Sequence, residues 1–219
     1  MEQAPAMTAK VPIPKSRSGR PSAARATAID RAIIEAARTR FLADGFDAVA
    51  MEQIAAMADI SKGTLYARYA SKETLFTAVI EASVRQWSEE ASQLDHLLTG
   101  EIEQRLRYHA RTIARSLQRA DVRDMQRLIL SVRGRFPAFA TAMHDIGYRY
   151  IVDLITRDIE DAAAKDASPA RDPGAVARAL VAGLTGFQLQ EVGFSECGDD
   201  IDRFGQRLVD LIMAGRSAW

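Results

Sequence analysis

Residues 51–76 read Met51-Glu52-Gln53-Ile54-Ala55-Ala56-Met57-Ala58-Asp59-Ile60-Ser61-Lys62-Gly63-Thr64-Leu65-Tyr66-Ala67-Arg68-Tyr69-Ala70-Ser71-Lys72-Glu73-Thr74-Leu75-Phe76. A short helix-permissive run, 51–58, stops at Asp59-Ile60-Ser61, and a second run, about 62–69, stops at Ala70-Ser71. Two short helices joined by a three- or four-residue turn form a helix-turn-helix, whose second helix can lie in the DNA major groove. In the second run Leu65 and Tyr69 are four apart and face inward, which leaves Lys62, Thr64, Ala67 and Arg68 to face out. Gly63 and Ala67 keep side-chain bulk low where a backbone could approach DNA, and the Tyr66 phenol suits a phosphate oxygen. Lys72, just past the second run, is placed to reach the DNA backbone. On spacing alone a surface helical hairpin with ordinary exposed charges fits equally well.

Upstream, Ile29, Ile33, Ala37 and Phe41 recur every four residues, and Gly45 is placed to end that helix. Before it, Pro5, Pro12, Pro14 and Pro21 crowd the start, and no further proline occurs until Pro137. Proline disrupts helix interiors, so residues 1–26 read as a flexible arm with five basic residues and one acid. That arm is either a solvated terminus or a phosphate contact. Downstream, Ser71 is a plausible N-cap for a helix whose inner face carries Phe76, Val79, Ile80, Val84 and Trp87.

Longer amphipathic stripes follow: Ile102 to Leu117, Met125 to Val132, Phe139 to Leu154 after Pro137, Val176 to Phe187, and Ile201 to Ile212. A polar loop, 166–173, interrupts them. With no alternating strand pattern and no internal repeat, the chain is expected to be all-α with about nine helices.

Composition narrows the function classes. The 219 residues are 47% hydrophobic and 26% charged, which excludes a wholly disordered chain, a collagen-like repeat and a disulfide scaffold. No apolar run reaches the ~18–20 residues needed to span a bilayer, and the start has no apolar stretch like that of a secretory signal. Cys197 is the single cysteine, so neither a disulfide nor a thiolate zinc site is expected, and a cytoplasmic protein without cofactor, metal or membrane attachment is. Twenty-nine basic and 29 acidic residues cancel overall. Their distribution is uneven: residues 1–80 hold eleven basic against eight acidic, an excess whose sign favours an anionic partner.

An enzyme is the main rival class. His96, His109 and His144 lack metal-pair spacing, and Gly193-Phe194-Ser195-Glu196-Cys197 lacks the closing glycine and preceding strand of a nucleophile elbow. A non-specific architectural DNA binder would need a basic surface throughout rather than one compact helix.

Residues 29–76 resemble the N-terminal domain of the TetR family of transcriptional regulators. The resemblance rests on Phe41-Leu42-Ala43-Asp44-Gly45-Phe46-Asp47-Ala48, Met51-Glu52-Gln53-Ile54-Ala55, Ser61-Lys62-Gly63-Thr64-Leu65-Tyr66 and Ser71-Lys72-Glu73-Thr74-Leu75-Phe76. Arg127-Leu128-Ile129 with Arg135-Phe136-Pro137 resembles the AefR-like subgroup more weakly. Two departures stand out. Ala50 replaces the hydroxyl residue that usually caps the second helix, a loss of about 1 kcal/mol, and Asp59 replaces the turn glycine.

The resemblance implies a helix-turn-helix DNA-binding domain over 27–87, with its motif at about 50–69, joined by a linking helix to a helical regulatory and dimerisation domain over 88–219. It implies a homodimer on an inverted-repeat operator, most commonly as a repressor released by a small molecule. The residues expected at DNA are Lys62, Gly63, Thr64, Tyr66, Ala67, Arg68 and Lys72. Of these, Lys62 and Thr64 are assigned to base edges, Tyr66 and Lys72 to phosphate, and Arg68 to phosphate or a guanine. An apolar or aromatic effector would meet Trp87, Tyr108, His109, Met125, Phe136, Phe139, Met143 and Tyr148, although such a stripe is more often plain core. Arg105, Arg111 and Arg115 would suit an anion, or are exposed helix charges. A dimer interface would use Val176, Leu180, Gly183, Leu184, Gly186, Phe187, Leu208, Leu211 and Ile212, which otherwise complete the monomer core.

Overall fold

The computed structural model describes residues 23–92, 101–165, 170–192 and 198–219. Most of the expected arm (1–22), the Gly193–Cys197 motif and residues 166–169 of the polar loop lie outside them. The described residues form ten α-helices: α1 (Ala23–Ala48), α2 (Met51–Met57), α3 (Lys62–Arg68), α4 (Lys72–Ser92), α5 (Ile102–Gln118), α6 (Ala120–Val132), α7 (Pro137–Met143), α8 (Arg149–Lys165), α9 (Pro173–Phe187) and α10 (Gly198–Ala214). A π-helical turn, His144–Tyr148, joins α7 to α8 without a break, so the helices make nine rods, as the periodicity predicts. No strand occurs among the described residues.

The first helix starts earlier than the arm's expected boundary. Ala23-Ala24-Arg25-Ala26 are helical because alanine and arginine are strong helix formers and no proline follows Pro21 there. Gly45 leaves helical geometry at φ 80°, ψ 163°, a conformation open to glycine, and turns the chain so that Phe46 folds back inward. Asp59 takes φ 57° at the turn after α2, so the left-handed position is filled without glycine.

The chain divides into two compact units, residues 1–79 and 80–219, with the division inside α4. The first unit closes around three rings: Phe41 lies 5.7 Å from Phe46 and 5.0 Å from Phe76, and all three are buried. Ile33, Ile54, Leu65 and Leu75 fill the space around them at 0% exposure. Seven side chains, three rings and four branched chains from four helices, thus fix α2 and α3 against α1.

The second unit packs α5 against α10 and α8 against α9. Its core includes Leu106 and Ala110 from α5, Ile155 and Ile159 from α8, Leu180 and Leu184 from α9, and Ile201 and Val209 from α10. This assignment corrects part of the expected dimer stripe. Leu180 and Leu184 are 0% exposed within their own chain and have no area to offer a partner copy. Gly183 permits close approach, but of Leu208 in the same chain: a Cβ there would lie 2.6 Å from Leu208 Cδ2. Phe187 stacks on Phe204 at 4.4 Å. Val176, Leu208 and Ile212 are partly buried, while Leu211 is 61% exposed.

Candidate functional site

The N-terminal candidate surface is built on α3, a helix too short to persist without external support. Its first turn is fixed by Ser61, whose Oγ accepts from the Thr64 amide at 3.1 Å and pairs with the Thr64 hydroxyl at 2.8 Å. Its inner side is fixed by Leu65 in the core. Lys62, Gly63, Tyr66 and Ala67 are left exposed, with Thr64 half-buried beside them. Ala50 provides no side-chain cap for α2. Gln53 compensates in part: its Oε1 accepts from the Ala50 amide at 3.0 Å.

The cations assigned to DNA are all engaged within this unit. Lys62 Nζ lies 2.5 Å from Glu52 Oε1 on α2 and 5.6 Å from the centre of the Tyr66 ring. The hydrogen bond from Lys62 holds the Glu52 carboxyl below its ordinary range, and the same bond raises Lys62. Arg68 Nη1 reaches Asp30 Oδ1 at 2.5 Å and so ties α3 to α1. Lys72 Nζ donates to the carbonyls of Phe46 (2.8 Å), Asp47 (3.2 Å) and Val49 (3.0 Å), over the Phe46 ring. Those three bonds match the three donors of an ammonium, so Lys72 braces the end of α1 and the start of its link to α2. The sequence does not announce Glu52 and Asp30 as partners, because only the fold brings α1 and α2 beside α3, whereas Gln53, three residues from Ala50, is a local capping signal.

The second unit holds a partly open cavity of about 500 Å³. Val84, Trp87 and Ser88 of α4 form part of its wall, with Tyr108, His109, Thr112 and Ile113 of α5 and Val122, Gln126 and Ile129 of α6. Met143, the π-helical turn and α8 contribute Met143, His144, Gly147, Tyr148, Tyr150 and Ile151, and α9 contributes Val181 and Thr185. A second π-helical turn, Gln188–Val192, adds Leu189. Turns of this kind recur at functional sites, where they re-aim side chains; here His144 stacks on Tyr148 at 5.1 Å.

Of the expected effector contacts, Trp87, Tyr108, His109, Met143 and Tyr148 do line this cavity. Met125 and Phe139 do not: both are buried core, at 0% and 2% exposure, and Phe136 stacks on Phe139 at 5.2 Å outside the wall. Gln126, next to Met125, takes the place on the wall instead.

Two polar clusters hold the cavity's sides. His109 Nε2 donates to Asp158 Oδ2 at 2.7 Å, and Arg105 Nη1 donates to the other carboxylate oxygen. His109 and Asp158 are 5% and 8% exposed, so this is a buried, charge-compensated group. Trp87 Nε1 donates to Asp121 Oδ2 at 3.1 Å. Burial pushes the Asp121 carboxyl up, but the bidentate Arg119 contact, at 3.0 Å to each oxygen, and the Trp87 bond outweigh it and bring it below its usual value. No group of three or more potential metal-ligating side chains occurs among the described residues, and no helix there is long and apolar enough to cross a membrane.

Comparison with known proteins gives concordant results. Residues 33–79 match the family described as bacterial regulatory proteins, tetR family. The A-factor receptor protein of Streptomyces griseus is 31% identical over 171 residues, which cover 76% of this chain, and the chain spans 56% of that relative's length. A solved structure, the flavonoid-responsive regulator FrrA, superposes with a TM-score of 0.70 at 26% identity, covering 85% of this chain and 96% of that one. A TetR-family regulator from Mesorhizobium loti MAFF303099 shares the fold at TM-score 0.75 and 24% identity, over 87% of this chain and 97% of its own. The helix-turn-helix falls inside the matched segment, so residues 33–79 are a domain of the tetR family of bacterial regulatory proteins, and the rods around it follow the fold of the solved regulators.

Proposed function

We propose that the chain is a sequence-specific DNA-binding transcriptional regulator, acting as a homodimer on an inverted-repeat operator and released from it by a small molecule. The observation that carries this reading is the exposed edge of α3, where Lys62, Gly63, Tyr66 and Ala67 stand clear of the fold on a helix that its own cap and Leu65 hold in place. Lys62 and Thr64 are the base-edge candidates and Tyr66 a phosphate candidate. To reach DNA, Lys62 exchanges Glu52 for a base or phosphate oxygen, an exposed exchange with little intrinsic cost. Arg68 and Lys72 have first to leave Asp30 and the carbonyls around Phe46, or they serve DNA binding by holding α3 and α4 in position.

The cavity supports the effector half of the reading, since its size falls in the range of small-molecule sites. Related proteins bear the names of a receptor for A-factor and of a flavonoid-responsive regulator. One helix, α4, carries Lys72 in the first unit and Val84, Trp87 and Ser88 in the second, which gives effector binding a covalent route to the reading unit. Dimerisation would draw on the outward parts of α9 and α10, with Leu211 the most exposed of their large apolar side chains.

A gel-shift with the chain's own upstream DNA, against an unrelated duplex, tests the proposal. We expect preferential binding to the upstream DNA. Lys62→Ala should relax discrimination at particular base pairs, while Lys72→Ala should weaken binding about equally on all sequences and lower the salt slope by about one. If both variants simply unfold, the two lysines are structural and the contact assignment fails. A monomer at micromolar concentration in analytical ultracentrifugation removes the dimer.

A further inference from the structure

The cavity wall specifies its occupant more narrowly than by apolar character alone, an inference that rests on the cavity being the effector site. None of the side chains lining it is Asp, Glu, Lys or Arg. Arg105, on the neighbouring helix face, is bound to Asp158, and Arg111 and Arg115 are exposed outside the wall. Both wall histidines already face carboxylates of their own chain: His109 faces Asp158, and His144 Nδ1 lies 3.1 Å from Asp145. Those carboxylates are balanced in turn by Arg105 and by Arg149, 2.9 Å from Asp145. The wall therefore has no uncompensated charge of either sign, and a charged ligand would lose its hydration without gaining a counter-ion.

One wall residue carries a solvent-shielded side-chain atom with no hydrogen-bond partner. Gln126 Oε1 is shielded from solvent and has no partner, whereas buried amide oxygens are ordinarily bonded. Ser83 Oγ and Gln188 Oε1 are also unpartnered, but neither residue lines the cavity. The terminal torsion of glutamine is soft, so a small rotation brings its carboxamide to an occupant. A hydroxyl both donates and accepts, and so meets either end of that carboxamide. We propose that the cavity takes an uncharged, largely apolar molecule bearing a hydroxyl group, and that Gln126 is the residue that selects for the hydroxyl.

A matched probe series tests this on the full chain: 4-hexylphenol, its methyl ether 4-hexylanisole, and 4-hexylbenzoate, titrated calorimetrically at neutral pH. The phenol should bind about tenfold tighter than the ether, as one hydrogen bond is worth, and the benzoate should bind more weakly than either. Gln126→Leu should bring phenol and ether to equal affinity. Gln126→Glu, which keeps an acceptor, should retain the phenol's advantage and weaken the benzoate further, so that a packing defect in the leucine variant cannot imitate the result. Equal binding of phenol and ether by the unaltered chain, tight binding of the benzoate, an unchanged ratio in Gln126→Leu, or no binding of any probe overturns the inference. A separate gel-shift arm with the phenol reports on regulation: selective binding without release of DNA leaves the hydroxyl selectivity standing and counts against the effector reading.

Discussion

The N-terminal unit presents its candidate surface outward, on one short helix, while the C-terminal unit turns its candidate surface inward, onto a cavity assembled from six helices and two π-helical turns. The outward surface depends on local chemistry. Ser61 caps α3 three residues from Thr64, and Leu65 anchors the same two turns. The inward surface depends on distance: Asp158 meets His109 and Arg105 across 49 and 53 residues of chain. A site of the first kind is written in consecutive residues, and a site of the second kind is written in packing. The two should also fail differently when their supports are removed.

The largest effect is expected at the aromatic trio. Phe41 is 0% exposed and touches both Phe46 and Phe76, so Phe41→Ala should cost about 3–5 kcal/mol, the range for deleting a buried ring. DNA binding should be lost, whereas calorimetric binding of 4-hexylphenol to the cavity should survive. Loss of both together, with one cooperative unfolding transition, would show that the units do not stand apart in stability and would break the comparison.

The reciprocal experiment removes Asp158. Asp158→Ala leaves the buried His109 Nε2–H without its acceptor and removes one partner of Arg105, whose side chain is 27% exposed. The cost should be about 2–3 kcal/mol, from the orphaned donor and the lost charge-assisted bonds. Asp158→Asn retains an acceptor for His109 and should lose less. Urea denaturation followed by circular dichroism, alongside DNA binding, checks both variants. If the asparagine variant proves as unstable as the alanine one, charge rather than hydrogen bonding holds this side of the cavity.

The same contrast explains what could be read from the residues in advance. The nine rods, the Gly45 stop, the Ser71 cap and the tolerance of Asp59 for a positive φ were all legible, because each is a property of neighbouring residues. The outward face of α3 was legible for the same reason. Its engaged cations were not: nothing in the spacing of Lys72 announces three carbonyl acceptors some 25 residues earlier. In the second unit, helical periodicity identifies an apolar stripe but not which edge of the stripe borders a gap. Met125 and Gln126 are adjacent, yet the first fills the core and the second lines the cavity. An available signal went unused: Asp158 interrupts the apolar stripe of Val152, Ile155, Ile159 and Ala162, and His109 interrupts that of Leu106 and Ile113. An acid and an imidazole on inward faces of two helices imply a mutual bond, since neither is buried without a partner.

The smallest expected effect is a gain, and it isolates the local character of the outward surface. Ala50 occupies the N-cap of α2 with φ −95° and ψ 145°, the extended geometry of a capping residue, but has no side-chain oxygen to offer. Gln53 already accepts from the Ala50 amide, which is one half of a capping box. Ala50→Ser supplies the other half, an oxygen for the amide of Gln53, and Ala50 is exposed, so the added hydroxyl meets no packed neighbour. Stability of the first unit should rise by about 0.5–1 kcal/mol, read as a higher urea midpoint with unchanged slope. Gln53→Ala in the serine background should then cost more than Gln53→Ala in the unaltered chain, because the two caps support one another through the same turn. Equal costs in the two backgrounds would mean that Gln53 holds α2 alone, and that the missing hydroxyl at position 50 was already replaced in full.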